Sequence, residues 1–166
     1  MTAETTTDKP VRDSVKPTFI SHGTLASRDL DRTRKFYEEF LNIECVRTSP
    51  ISMMIRLGGD HIYAVVQSKQ HFVMPMLNHN GLDLPTDEEV NEAWRTVTAH
   101  AEKWGLERIT RPIAQHGTYS FMFWDFDGNS WEILSNPKGG YNWIFEKGDQ
   151  EGKGHMDRGF RKDRPQ

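Results

Sequence analysis

The sequence predicts an α+β fold in which one β-α-β-β-β order is used twice. Three observations carry that expectation. Short runs rich in β-branched and aromatic residues alternate with only two helical stripes, the second set of elements repeats the order of the first, and polar, unpatterned residues gather at both ends. The expected organisation is a disordered N-terminal tail over residues 1–17, a first module over 18–70, a second over 71–136 and a C-terminal extension over 137–166.

Thr18 to Leu25 opens the first module as a strand. From Asp29 onward Leu30, Thr33, Tyr37, Phe40 and Leu41 take the spacing of one helix face, and Asn42 supplies a stop. The runs ECVRT, SMMIRL and HIYAVVQ follow as three strands, with Gly58-Gly59-Asp60 turning between the last two. In the second module MPMLNHNGLDL is expected to be a strand. Thr86 and Glu89 stand at capping-box spacing, and Val90, Ala93, Trp94, Val97, Ala101 and Trp104 form a helical stripe that Gly105 ends. RITRPIA, TYSFMFWDF and SWEILSN complete the repeat as strands, with Asp127-Gly128-Asn129 as a hairpin turn. The aromatic YNWIF run beyond them is too apolar to stay in water and should dock.

Composition removes several function classes. The formal net charge of −3 offers no clustered basic surface for nucleic acid. The one cysteine, Cys45, rules out an intrachain disulfide framework and a Cys-rich zinc site. No run approaches the ~18 apolar residues a membrane span needs, and the N-terminus has no signal-peptide pattern, so a cytoplasmic protein is expected.

The chemistry-bearing residues emerge when the two modules are laid over each other. ISHG at 20–23 lies over LNHN at 77–80, and GDHIYAV at 59–65 lies over GNSWEIL at 128–134. His22 and His79 thus occupy equivalent positions, and Tyr63 is read as the counterpart of Glu132. Strand alternation puts Glu132 and Leu134 on one face, with Trp131 and Ile133 on the other. A carboxylate among apolar neighbours is costly to bury unless a cation or metal meets it. If the modules pack about a pseudo-twofold axis, His22, His79 and Glu132, 57 and 53 residues apart, meet across one cavity as ligands of a divalent metal.

These phrases resemble the vicinal oxygen chelate superfamily, which includes glyoxalase I, extradiol catechol dioxygenases, fosfomycin-resistance thiol transferases and bleomycin-binding proteins. The resemblance rests on FISHGTL, on MLNHNGL with its following helix, and on FWDFDGNSWEIL, where Phe126 replaces the family's usual Pro. It spans residues 18–136 and implies paired βαβββ modules forming a curved mixed sheet around a central metal site. Tyr63 in the first-module carboxylate position argues against the four-ligand pattern of glyoxalase I. His22, His79 and Glu132 look like the three-ligand set of the extradiol and fosfomycin branches.

His116, in AQHGTYSF, is similar to the loop histidine that extradiol enzymes use for proton transfer, and it is the catalytic candidate. Met122 stands where catechol-cleaving relatives carry a tyrosine, while Tyr119 points to the opposite face by alternation. Tyr63 and Met122 are therefore candidates to line a pocket for a phenolic substrate. The expectation is an extradiol-type dioxygenase that opens an aromatic diol with O2, using one divalent ion, Fe(II) first and Mn, Zn or Ni as alternatives, in a chain that forms a homodimer. The alternative is a metal-dependent glyoxalase-like lyase or isomerase, or a thiol transferase, acting on a small oxygen-chelating substrate.

Overall fold

In the computed structural model the described residues are 15, 17–59, 61–115, 117–137 and 139–149. The first module runs β1 (His22–Ser27), α1 (Leu30–Glu39), β2 (Glu44–Ser49), β3 (Ser52–Arg56) and β4 (Ile62–Gln67). The second runs β5 (Asn80–Leu84), α2 (Asp87–Ala99), α3 (Ala101–Trp104), β6 (Ile113–Gln115), β7 (Thr118–Trp124) and β8 (Ser130–Ser135), and α4 (Asn142–Lys147) follows it. Each module forms its own four-stranded mixed sheet, ordered β1-β4-β3-β2 and β5-β8-β7-β6. In both, the first strand pairs parallel with the last and the remaining pairs are antiparallel. The predicted repeat is therefore a repeat of topology.

Local chemistry accounts for the helices. The Asp29 side chain accepts the free N–H groups of Asp31 and Arg32 at the start of α1. Asn42, beyond its end, adopts the left-handed region at φ 55, which asparagine tolerates better than most residues. Thr86 and Glu89 form the reciprocal capping box of α2, and Gly105 closes α3 at φ 68.

One core serves both modules. Leu30, Phe36 and Tyr37 of α1 pack on Leu25, Met53, Ile55 and Val65 of the first sheet, while Val90, Val97 and Trp104 meet Phe121, Phe123, Trp131 and Ile133. Phe36 and Tyr37 lie 5.6 Å from the rings of Trp104 and Trp131 respectively, which joins the two halves. The β7–β8 turn joins them again through polar groups. Asp127 accepts the Arg28 N–H at 2.7 Å and the Thr33 hydroxyl at 2.6 Å, and the Asn129 side-chain amide pairs with both backbone groups of Ala26.

Several expected boundaries shift. The first strand begins at His22 rather than Thr18. MPMLNH is not strand: Met76–Asn78 form one 3-10 turn, and β5 starts only after His79. Of RITRPIA only Ile113 and Ala114 are strand, within β6, while the Thr110 N–H donates to the Met122 carbonyl of β7 at 2.8 Å. YNWIF does dock: it forms most of α4, with Trp143 buried and Phe145 left exposed. Among the described residues no helix is long and apolar enough to cross a membrane.

Candidate metal centre

His79 and Glu132 come together. Glu132 lies mid-strand in β8, between Gly81 of β5 and Met122 of β7, and is 7% exposed. Trp131 and Ile133 beside it belong to the helix-covered core, so the predicted alternation of faces holds. His79 sits where the 3-10 turn gives way to β5. Its Nε2 lies 3.1 Å from Glu132 Oε2, and its Nδ1 lies 2.6 Å from the Met76 carbonyl oxygen.

The Met76 contact fixes the role of the far ring nitrogen. A carbonyl oxygen only accepts, so the Nδ1 proton is committed to Met76 and a neutral ring turns the Nε2 lone pair toward the carboxylate. Two acceptors at hydrogen-bond distance repel unless a proton or a cation lies between them. Two ligands ~2.1 Å from one metal ion and at right angles would stand about 3.0 Å apart, close to the separation found. A backbone carbonyl on the far ring nitrogen is also the usual way a ligating histidine is oriented.

His22 does not join this pair within the chain. It lies exposed at the start of β1 with its Nδ1 2.8 Å from the Ser21 hydroxyl. Among the described residues no group of three or more His, Cys, Asp or Glu could hold a metal ion. The expectation that the two modules of one chain face each other with all three ligands is thus not met. His22 instead belongs to the sheet face that α1 does not cover, in cross-strand register with Ile62, Arg56 and Glu44. The next row on that face is Thr24, Ala64, Met54 and Val46, of which Val46 and Met54 are exposed.

Strand pairing also corrects the Tyr63 assignment. His79 lies two residues before Gly81, the partner of Glu132; His22 lies two residues before Thr24, the partner of Ala64. Ala64 is therefore the counterpart of Glu132, and Tyr63, one residue earlier, points to the α1 side against Gly23. A one-residue slip in aligning the hairpins reverses every face. Without a carboxylate at Ala64 the first module still supplies only a histidine.

Tyr63 lines a cavity of about 490 Å3 between the modules, together with His61, Asp83, Leu134 and Tyr141. Met122 does not: it is 5% exposed and opposes Glu132 across β7–β8. Tyr119 faces α2, where its hydroxyl donates to Asn91 at 3.0 Å. His116 lies outside the described residues. In the sequence Tyr141 carries no signal beyond its place in the apolar YNWIF segment. Burial first, then the Glu132 carboxylate and partners including Asp83, raise its phenol above the ordinary value.

Residues 19–133 match the family model of the Glyoxalase/Bleomycin resistance protein/Dioxygenase superfamily. The chain belongs to that superfamily. Its fold is shared with the fosfomycin resistance protein FosX from Listeria monocytogenes, solved with Mn(II) and sulfate ion, at 23% identity and TM-score 0.59, covering 78% of this chain and 99% of that one. It is also shared with hypothetical protein SA1046 from S. aureus, at 21% identity, TM-score 0.58 and coverage of 73% and 95%. FosX from Mesorhizobium loti is similar at 22% identity, TM-score 0.56 and coverage of 75% and 97%. No curated protein matches in sequence.

Superfamily membership accounts for the doubled sheet and its curved faces. The donor chemistry of His79 and Glu132, one imidazole nitrogen and one buried carboxylate, suits a divalent ion such as manganese, iron or zinc.

Proposed function

We propose that the protein is a divalent-metal enzyme acting on a small substrate that offers two neighbouring oxygens. The observation that carries this reading is the His79–Glu132 pair, whose Nε2 and Oε2 atoms face each other at 3.1 Å, as two ligands of one ion would, with the far imidazole nitrogen held by Met76. His79 Nε2 and Glu132 would hold the ion, and His22 of a second copy would complete the set. When bound, the ion supplies Lewis-acid polarisation of the substrate oxygens. The phenols of Tyr63 and Tyr141, both held protonated by burial, can donate hydrogen bonds to a ligand in the cavity they line. Gly81, whose strand partner is Glu132, and Leu134, on the Glu132 face, line that same cavity.

Lewis-acid chemistry is preferred over ring cleavage because Met122, directly opposite Glu132, can donate no proton, and Tyr119 is turned toward Asn91. Extradiol cleavage remains the second reading, favoured by the His22, His79, Glu132 set and by His116 as proton carrier. One experiment tests both. Purified chain should bind one Mn(II) or Fe(II) per subunit by calorimetry, and Glu132→Ala should bind none while remaining folded. Catechols and non-aromatic vicinal-oxygen compounds are then offered with and without O2. Metal binding unchanged in Glu132→Ala would overturn the site, and turnover that requires O2 would establish the second reading.

A further inference from the structure

On the far side of the β7–β8 turn, a polar cleft of about 240 Å3 opens between the modules. Arg28 and Arg32 line it from the first module, and Arg108 and His71 line it from the second. That volume holds roughly eight waters, enough for a small hydrated anion. We propose that this cleft binds a phosphate-class oxyanion, held between the Arg32 and Arg108 guanidinium groups.

Two observations point that way. The first is the state of the cations. The Arg32 guanidinium carbon lies over the Phe126 ring, 3.9 Å from its centroid, and that of Arg108 over the Trp124 ring at 5.6 Å. Among the described residues neither guanidinium has a hydrogen-bond or salt-bridge partner, so their planar donor forks are unspent, although the Arg32 charge also acts on Asp127. The aromatic supports restrict their motion and so reduce the ordering entropy an anion must overcome. Gly105 leaves room for this, since a β-carbon there would stand 3.0 Å from the Arg32 guanidinium.

The second is the state of the nearby carboxylates. Asp127 is occupied by the Arg28 and Thr33 donors, and Asp125 by Asn129, Trp131 and its own turn. Among the described lining residues only Glu107 offers an exposed negative charge. Guanidinium forks match the geometry of phosphate oxygens better than that of a halide, which gives the class.

The test is calorimetric titration of the metal-free full-length chain with inorganic phosphate, against sodium chloride at equal ionic strength. Saturable binding to one site is expected, weakened at least ~10-fold in Arg108→Ala and in Arg32→Ala, the loss of one charge-assisted contact. Glu107→Gln should tighten it, and Glu132→Ala should leave it unchanged, which separates this cleft from the metal centre. Phenyl phosphate in a parallel arm distinguishes a phosphomonoester, which would bind more tightly, from free phosphate. Heat reproduced by chloride alone, or binding unaffected by both arginine variants, would overturn the proposal.

Discussion

Asp125 shows how one side chain can hold a hairpin and, through it, both modules. Its carboxylate accepts the backbone N–H groups of Asp127 and Asn129, the Asn129 amide and the Trp131 indole N–H, and it meets the Tyr37 hydroxyl at 3.4 Å. Asp125→Ala would strand these donors in the core, where each unsatisfied group costs about 1–3 kcal/mol. A loss of at least ~3 kcal/mol in urea unfolding is expected. Burial, opposed by Trp131 and Asn129 donors, raises the carboxyl from 3.8 to about 6. Because the folded value is raised, the stability this group contributes is full below its unfolded value and is lost as pH rises through about 6. The stability difference between the wild type and Asp125→Ala should therefore shrink between pH 4 and pH 6.5. The sequence marked this turn as a motif, but nothing in the spacing said that Asp125 would bind its neighbours rather than a ligand. His79 was legible because it recurs with His22. Met76 was not, since it acts through a backbone carbonyl that any residue would provide.

Elements were legible where a local signal fixes both ends. The capping box set the start of α2, Gly105 set the end of α3, and Asp127-Gly128-Asn129 set the β7–β8 turn. Apolar residues without such punctuation adopt structure that their pattern does not announce. MPMLNH is apolar enough for a strand, yet Pro75 leads into a 3-10 turn that delivers the His79 ring to Glu132. The first-module hairpin slipped by one residue because the Gly58-Gly59-Asp60 turn gives no sign of how many residues it consumes, and the slip exchanged Ala64 for Tyr63. Gly128 illustrates a turn glycine required twice over. Its φ of 90 disfavours any side chain, and a β-carbon would collide with the Phe72 carbonyl oxygen. Since the Met74 N–H also donates to Gly128 at 2.8 Å, the 72–74 segment cannot simply retreat. Gly128→Ala should cost roughly 2–3 kcal/mol, lowering Tm by about 5–10 °C in a thermal melt.

Whole-molecule architecture bears on where a third ligand for the proposed metal would come from, which repeat symmetry alone could not show. Equivalent positions in a repeat need not face each other; they do so only if the two sheets close on one another, and here each sheet keeps its own hydrogen bonds. The first sheet therefore presents His22 on a face that no described helix covers, beside Ile62, Met54 and Val46, while Glu132 and His79 sit on the second. Burying Val46, Met54 and Val66, which are 55%, 41% and 37% exposed, against another chain would be favourable at about 25 cal/mol per Å2. If a second copy provides that surface, its His22 arrives at the His79–Glu132 pair of the first, and two such sites form per dimer by symmetry. Chain mixing discriminates this arrangement from closure within one chain. His22→Ala and Glu132→Ala proteins should each fail to bind Mn(II) at one equivalent per subunit. After co-refolding in equal amounts, the mixed dimers carry one site with His22 from the Glu132→Ala chain and His79 and Glu132 from the His22→Ala chain. Half of the subunits will sit in mixed dimers at random association, so metal content should recover to about a quarter of the wild-type value. Recovery of none would place all three ligands in a single chain.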